Sequence, residues 1–185
     1  MRRELVERAI AGDRDAYAEL ARTLIGRLYA VAFLILRNQA QAEDATQEAL
    51  VAAWRDLSAL READRFGAWL NRLLVRACHR EARRARGRRV VEVGDAALDT
   101  SPARDDLPRF LDRDQLERGF RRLDVEHRAI LVLHHLEGFT LAEIGEVLGL
   151  PVGTVKSRLH RALSTMRAAL DADARVIGID RERIA

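Results

Sequence analysis

Thr140-Leu-Ala-Glu-Ile-Gly-Glu-Val-Leu-Gly-Leu-Pro-Val-Gly-Thr-Val-Lys-Ser-Arg-Leu-His-Arg161 is the stretch that decides how this chain is read. Thr140 and Glu143 stand at capping-box spacing, which predicts a helix starting at Leu141. Leu141, Ile144 and Leu148 recur at helical spacing and give that helix one apolar stripe. Gly149 suits the left-handed residue that ends a helix. Pro151 suits the first turn of the next one, where its missing N–H costs nothing. In the second helix Val152, Val155, Leu159, Ala162, Leu163 and Met166 fall on one side. At about 100° per residue, Gly153, Thr154, Ser157, Arg161 and Ser164 fall on the other, flanked by Lys156 and Arg158. This is the layout of a helix-turn-helix, whose second helix enters the DNA major groove. Hydroxyls and Arg can hydrogen-bond base edges, and Lys, Arg and the N–H groups at a helix start can hold phosphates. An ordinary solvated amphipathic helix is the alternative. The agreement of capping box, turn and small-polar-basic face weighs against it.

Upstream, charge is unevenly spread. The chain's net charge is only +3, yet Arg72, Arg76, Arg80, Arg83, Arg84, Arg86, Arg88 and Arg89 crowd one segment with Glu81 as the only acid among them. The four-residue spacing of Arg72, Arg76, Arg80 and Arg84 lays them along one slowly drifting helical stripe, which is a phosphate-binding footprint. A solvated basic face is the usual reading of a charge run. A run with so little compensating acid repels itself and fits a polyanion better.

The 185 residues are enough for one ordinary domain or two small helical ones, and 48% apolar content argues for folding. No apolar run approaches the roughly 20 residues that span a membrane, and the charged start lacks a signal-peptide core. The expectation is a cytoplasmic protein without membrane insertion. Cys78 is the single cysteine, so no internal disulfide forms, and it reads as a buried small side chain beside His79. His134 and His135 are adjacent on a helix, point apart, and read as structural. No metal site and no cofactor is expected.

Helical periodicity dominates the chain. Helices are expected near 2–11, ended by Gly12; from Asp13 to about Leu36, with Leu20, Leu24, Leu28 and Val31 buried and Asn38 closing it; near 41–57; and near 66–86. Only Val90-Val91-Glu92-Val93 looks extended. Residues 87–110 carry Pro102, Pro108, Gly87 and Gly94 without a sustained period and read as a flexible linker. Helices resume near Leu111 and continue to about Leu170. Asp124 caps the helix that Gly138 ends, and a short tail runs from Asp171. The expected fold class is all-α: two small helical domains, 1–86 and 111–170, joined by the linker 87–110, with a tail 171–185.

Two motifs, in this order and at this separation, carry a family resemblance. Ala42-Glu-Asp-Ala-Thr-Gln-Glu-Ala-Leu-Val-Ala-Ala-Trp54, continued by Phe66-Gly-Ala-Trp-Leu70, resembles region two of the bacterial sigma-seventy family. The segment from Glu137 through the helix-turn-helix to Ala162 resembles region four. The chain is similar over about residues 10–170 to the extracytoplasmic-function (ECF) sigma factors, the small two-domain members of that family. The resemblance implies an RNA polymerase promoter-specificity subunit that assists melting, with no catalytic residues of its own. It implies that Asp44, Gln47 and Glu48 dock on core RNA polymerase. It also implies that the loop Ser58–Arg65 captures an unstacked base of the minus-ten element of promoter DNA. Arg65 and the stripe Arg72, Arg76, Arg80, Arg83 and Arg84 would then follow DNA near that element. Thr154, Lys156, Ser157, Arg158 and Arg161 would read the minus-thirty-five element. Control by an anti-sigma factor is common in the family, and no residue here demonstrates it. One departure stands out: Arg76 and Arg80 occupy positions where the family pattern has Asn and Asp.

Read alone, the Asp44–Gln47–Glu48 face is a solvated polar surface and Ser58–Arg65 only a loop. A stand-alone helix-turn-helix regulator would explain Thr140–Arg161 but leaves the Asp44–Glu48 face and the linker without a role. A nuclease with acids at Asp44 and Glu48 has the spacing to share a metal but lacks converging acids or histidines.

Overall fold

The computed structural model describes the backbone of residues 2–91 and 113–183, and side chains within 3–87 and 117–171. The fold is all-α: among the described residues there is no strand, and the chain divides into two compact units.

The first unit is built from α1 (Arg2–Ile10), α2 (Arg14–Leu36), α3 (Gln39–Asp56) and α4 (Phe66–Val91). Gly12, at φ +95°, turns the chain out of α1. The Asp13 carboxylate then accepts the N–H groups of Asp15 and Ala16 and caps α2, as the sequence predicts. Asn38 does a different job from the one expected. The left-handed residue that ends α2 is Arg37, at φ 59°, while the Asn38 side chain accepts the Gln41 N–H and caps α3. A short polar side chain serves a cap better than a helix end here, because the next helix follows immediately.

Leu20, Leu24, Leu28 and Val31 of α2 are buried as expected, with Leu57, Leu74 and Val75. The inward side of α3 is Ala42, Ala45, Thr46, Ala49 and Ala53, all buried. Small side chains at a contact shorten the distance between helix axes, so α3 lies close to α2 and α4. Tyr17 of α2 donates its hydroxyl to the Leu50 carbonyl, and its ring packs 5.0 Å from that of Trp54.

The linker expectation lies largely outside the described residues. Its first part is corrected: α4 continues past Arg86 to Val91, so Val90 and Val91 are helical, not extended. Consecutive turns of backbone hydrogen bonds outweigh the strand preference of two valines.

The second unit includes α5 (Arg113–Arg121), α6 (Val125–Leu131) and the start of α7 (Leu141–Leu148), with α8 (Val152–Arg183). Asp124 caps α6 through the His127 N–H. A wider turn, Val132–Leu136, extends α6, with the Glu137 N–H on the Val132 carbonyl five residues back, before Gly138 turns the chain at φ 72°. Both α5 and α6 pack on α8, around buried Ile130, Leu133, Val155 and Ala162. The expected tail from Asp171 is also corrected, because α8 runs on through Leu170 to Arg183. The mixed charge of that segment is compatible with helix, and no proline or glycine cap stops it at Leu170.

Candidate nucleic-acid interfaces

The start of α7 is the reciprocal cap that its sequence predicts. The Thr140 N–H donates to Glu143 Oε2 at 2.8 Å, and the Glu143 N–H donates to Thr140 Oγ1 at 3.3 Å. The Thr140 N–H and hydroxyl hold the Glu143 carboxyl below the usual range. At the other end Gly149 takes φ 67°, and the Leu150 N–H reaches the Gly145 carbonyl at 2.9 Å. That pair of features closes a helix with a left-handed residue, a conformation an alanine adopts only at a cost. Pro151 sits one place earlier than expected. It precedes α8, and its carbonyl accepts the N–H groups of Thr154 and Val155.

Along α8, Val155, Leu159 and Ala162 are buried while Ser157, Arg161 and Ser164 are exposed, as the periodicity requires. Lys156 is exposed and Thr154 half-buried. The Ser157 hydroxyl donates to the Thr154 carbonyl at 3.0 Å, which leaves its lone pairs to accept. Two expectations change. Val152 is 48% exposed, since the helix's first turn has no preceding turn to cover it. Arg158 is turned toward α6, where Glu126 takes its guanidinium, so it does not stand on the open face. His160 and Arg167 are exposed and share the arc of Ser157 and Arg161, a point missed by reading only the small polar residues.

On α4 the arginines divide. Arg76 and Arg83 are exposed and make no ion pair among the described residues. Arg80 donates from Nε to Glu48 Oε1 of α3 at 2.9 Å. Arg84 Nη1 lies 3.8 Å from Glu48 Oε2 and also donates to the buried Glu81. Glu81 is therefore not the only acid facing the run, because α3 supplies a second that sequence proximity hides. Arg72 is half-buried on the same helix. On α3, Asp44 and Gln47 are exposed and Glu48 is partly covered, with Val51 and Trp54 exposed further along.

The segment between α3 and α4 folds as two short 3-10 turns, Leu57–Ala59 and Ala63–Arg65. Leu57 anchors it in the core, and Ser58, Ala59, Arg61, Glu62, Asp64 and Arg65 are exposed. Arg65 pairs with Glu62 at 2.9 Å and Asp64 with Arg3 of α1 at 3.1 Å, so the loop is tied to the first helix.

Other reactive groups are quiet. Burial pushes the Cys78 thiol up to about 12, which keeps it protonated. Among the described residues no cluster of His, Cys, Asp or Glu is placed to hold a metal, and no helix is long and apolar enough to cross a membrane.

Comparison with known proteins yields two family matches. Residues 20–88 match Sigma-70 region 2, and residues 113–166 match Sigma-70, region 4. The chain is similar to the ECF RNA polymerase sigma factor SigM of Mycobacterium tuberculosis, 32% identical over 167 residues that cover 90% of this chain and 83% of the relative. It is also similar to the ECF RNA polymerase sigma factor SigW of Bacillus subtilis, 25% identical over 92% of this chain and 97% of the relative. Among solved structures it resembles CnrH, in complex with the cytosolic domain of CnrY, with a TM-score of 0.63, 28% identity and coverage of 93% and 98%. It shares its fold with the sigma factor RpoE, in complex with the anti-sigma factor NepR, from Bartonella quintana, with a TM-score of 0.69, 24% identity and coverage of 85% and 98%.

Proposed function

Because this chain belongs to the ECF RNA polymerase sigma factors of the sigma-70 family, we propose that its two units divide the work of promoter recognition between α3–α4 and α8. The chain directs core RNA polymerase to promoters and assists initiation. The relatives it matches are sigma factors, which sets aside the stand-alone regulator. The residue roles are our reading. Asp44, Gln47 and Glu48 of α3 dock on core polymerase. Arg65, Arg72, Arg76, Arg80, Arg83 and Arg84 hold the DNA backbone near the minus-ten element. The exposed loop Ser58–Arg65 receives an unstacked base there. On α8, Thr154, Lys156, Ser157 and Arg161 contact the minus-thirty-five element. Arg158 orients the helix through Glu126.

The observation that carries this reading is the separation of two chemically different open faces. The α8 face presents a hydroxyl acceptor and a guanidinium at groove-reading spacing, which suits base edges. The α4 face presents guanidinium groups, with Arg80 and Arg84 braced by Glu48 and Glu81, which suits phosphates. Unstacking a base costs a few kcal/mol, and backbone contacts of the second kind offset it. The nucleotidyl transfer belongs to the polymerase. The chain's own groups supply positioning and charge, and one oxygen of the Glu48 carboxylate is taken by Arg80. We propose domain limits of 1–91 and 113–183 for the two working parts, with an anti-sigma factor as a further partner. The test is holoenzyme assembly. Gln47→Ala with Glu48→Ala should weaken binding to core polymerase while preserving the helical circular dichroism signal. Unaltered assembly would remove α3 as the docking face.

A further inference from the structure

We propose that Glu48 is a positioning residue that divides the arginine stripe in the free protein, and that polymerase docking reverses the division. The proposal rests on the reading above, in which α3 meets polymerase and α4 meets DNA.

Successive residues four apart on a helix advance by about 40°, so a four-residue stripe winds around its axis. Arg72 is half-buried and Arg76 exposed, and Arg80 and Arg84 come within reach of α3. The alanine side of α3 brings its backbone near α4, so one glutamate bridges the gap. Glu48 Oε1 accepts Arg80 Nε at 2.9 Å, and its Oε2 lies 3.8 Å from Arg84 Nη1. That second oxygen is buried and has no hydrogen-bond partner, so the carboxylate is only half used. Arg76 and Arg83 are exposed with no ion pair among the described residues. Free in solution, the stripe therefore offers Arg76 and Arg83 to a phosphate backbone while Arg80 and Arg84 are held back.

Glu48 also lies on the face assigned to polymerase. One carboxylate cannot fully serve a cation of the polymerase and two arginines of its own chain. When a cationic polymerase surface takes Glu48, Arg80 is released toward DNA, while Arg84 keeps its partner Glu81. By linkage, phosphate capture of Arg80 favours polymerase docking by the same factor. The side chains of Glu48 and Arg80 are 33% and 44% exposed, and pairs this exposed shift an equilibrium by no more than about five-fold. This is a modest coupling that lowers the chain's affinity for DNA before it meets polymerase. It gives a role to Arg80, one of the two positions where the sequence departs from the family pattern.

The test uses the full chain with Glu81 intact, a labelled duplex of arbitrary sequence for the free protein, and a promoter fragment for the holoenzyme. In the free protein Arg76→Gln should reduce the slope of log K against log salt by about one unit, and Arg80→Gln by much less. Glu48→Gln should raise the free protein's DNA affinity by about two- to five-fold and give Arg80→Gln the full effect of Arg76→Gln. In the holoenzyme, Arg80→Gln and Arg76→Gln should cost alike. Equal slopes for Arg76→Gln and Arg80→Gln in the free protein would overturn the division, as would no response to Glu48→Gln. If Glu48→Gln raises DNA affinity yet core-polymerase binding ignores changes at Gln47 and Glu48, the division stands. The docking reading and the reversal built on it then fall together.

Discussion

The outer faces of α4 and α8 both look basic in sequence, but they are organised differently. On α4 the charge is cross-braced: Glu48 and Glu81 hold Arg80 and Arg84, and only part of the stripe stands open. On α8 one acid, Glu126, removes one arginine, Arg158, to the side and leaves a mixed face of hydroxyl, lysine and arginine. Guanidinium groups spread over a braced helix give affinity without sequence preference, whereas hydroxyl and guanidinium side by side give readout. Charge counting alone would have ranked α4 as the recognition element. Under the proposed function α4 holds the backbone and α8 reads the bases.

The largest effect should come from the core beneath α4. Leu74→Ala removes a fully buried side chain and should cost about 2–5 kcal/mol. Trp54 and Trp69, the chain's only tryptophans, both lie in this unit, so urea unfolding followed by fluorescence reads it directly. Next is readout. Ser157→Ala or Arg161→Ala should weaken promoter-specific initiation by about 1–3 kcal/mol, with little change on fragments of arbitrary sequence. Arg76→Gln should do the opposite, weakening binding to all fragments alike and flattening the salt dependence. Equal behaviour of the two variants would erase the distinction between the faces. A smaller loss is expected at the start of α3, where Asn38→Ala removes the cap on Gln41 and should cost about 1 kcal/mol in the same fluorescence assay.

The smallest effect is a pH dependence confined to α7. Thr140 holds the Glu143 carboxyl below its ordinary value of 4.5. A depressed folded pKa stabilises the cap above the ordinary value, and that stabilisation is lost as pH falls through the folded one. The protection factors of amides at the start of α7, taken relative to intrinsic exchange at each pH, should therefore fall on acidification below pH 4.5. Glu143→Gln should abolish the change.

Much of this architecture is legible in the sequence because its signals are local. Asp13, Asp124 and the Thr140–Glu143 box announce helix starts, and Gly12, Gly138 and Gly149 announce helix ends. All six act through neighbours within a few residues. Asn38 reads in sequence as the end of α2 but caps α3, because a short polar residue between two helices serves either end equally well. The end of α8 was set too early because mixed charge resembles a tail unless a stop signal is demanded. The candidate faces were legible as periodic patterns, and α8 kept its predicted polar side. Ion pairs across helices were not legible. Glu48 and Arg80 are 32 residues apart, and nothing local links them. Glu126 and Arg158 are likewise 32 residues apart. Their meeting depends on how closely α3 approaches α4 and α6 approaches α8, which is set by packing.

As proposed above, this chain opens promoter DNA only as a subunit of RNA polymerase. The most direct measurement is permanganate reactivity of a promoter fragment incubated with the purified chain, with core polymerase, and with both. Unpaired thymines near the start site are expected with both together and with neither alone, diminished by Arg161→Ala. Tight duplex binding by the chain alone, with no melting when core polymerase is added, would contradict it.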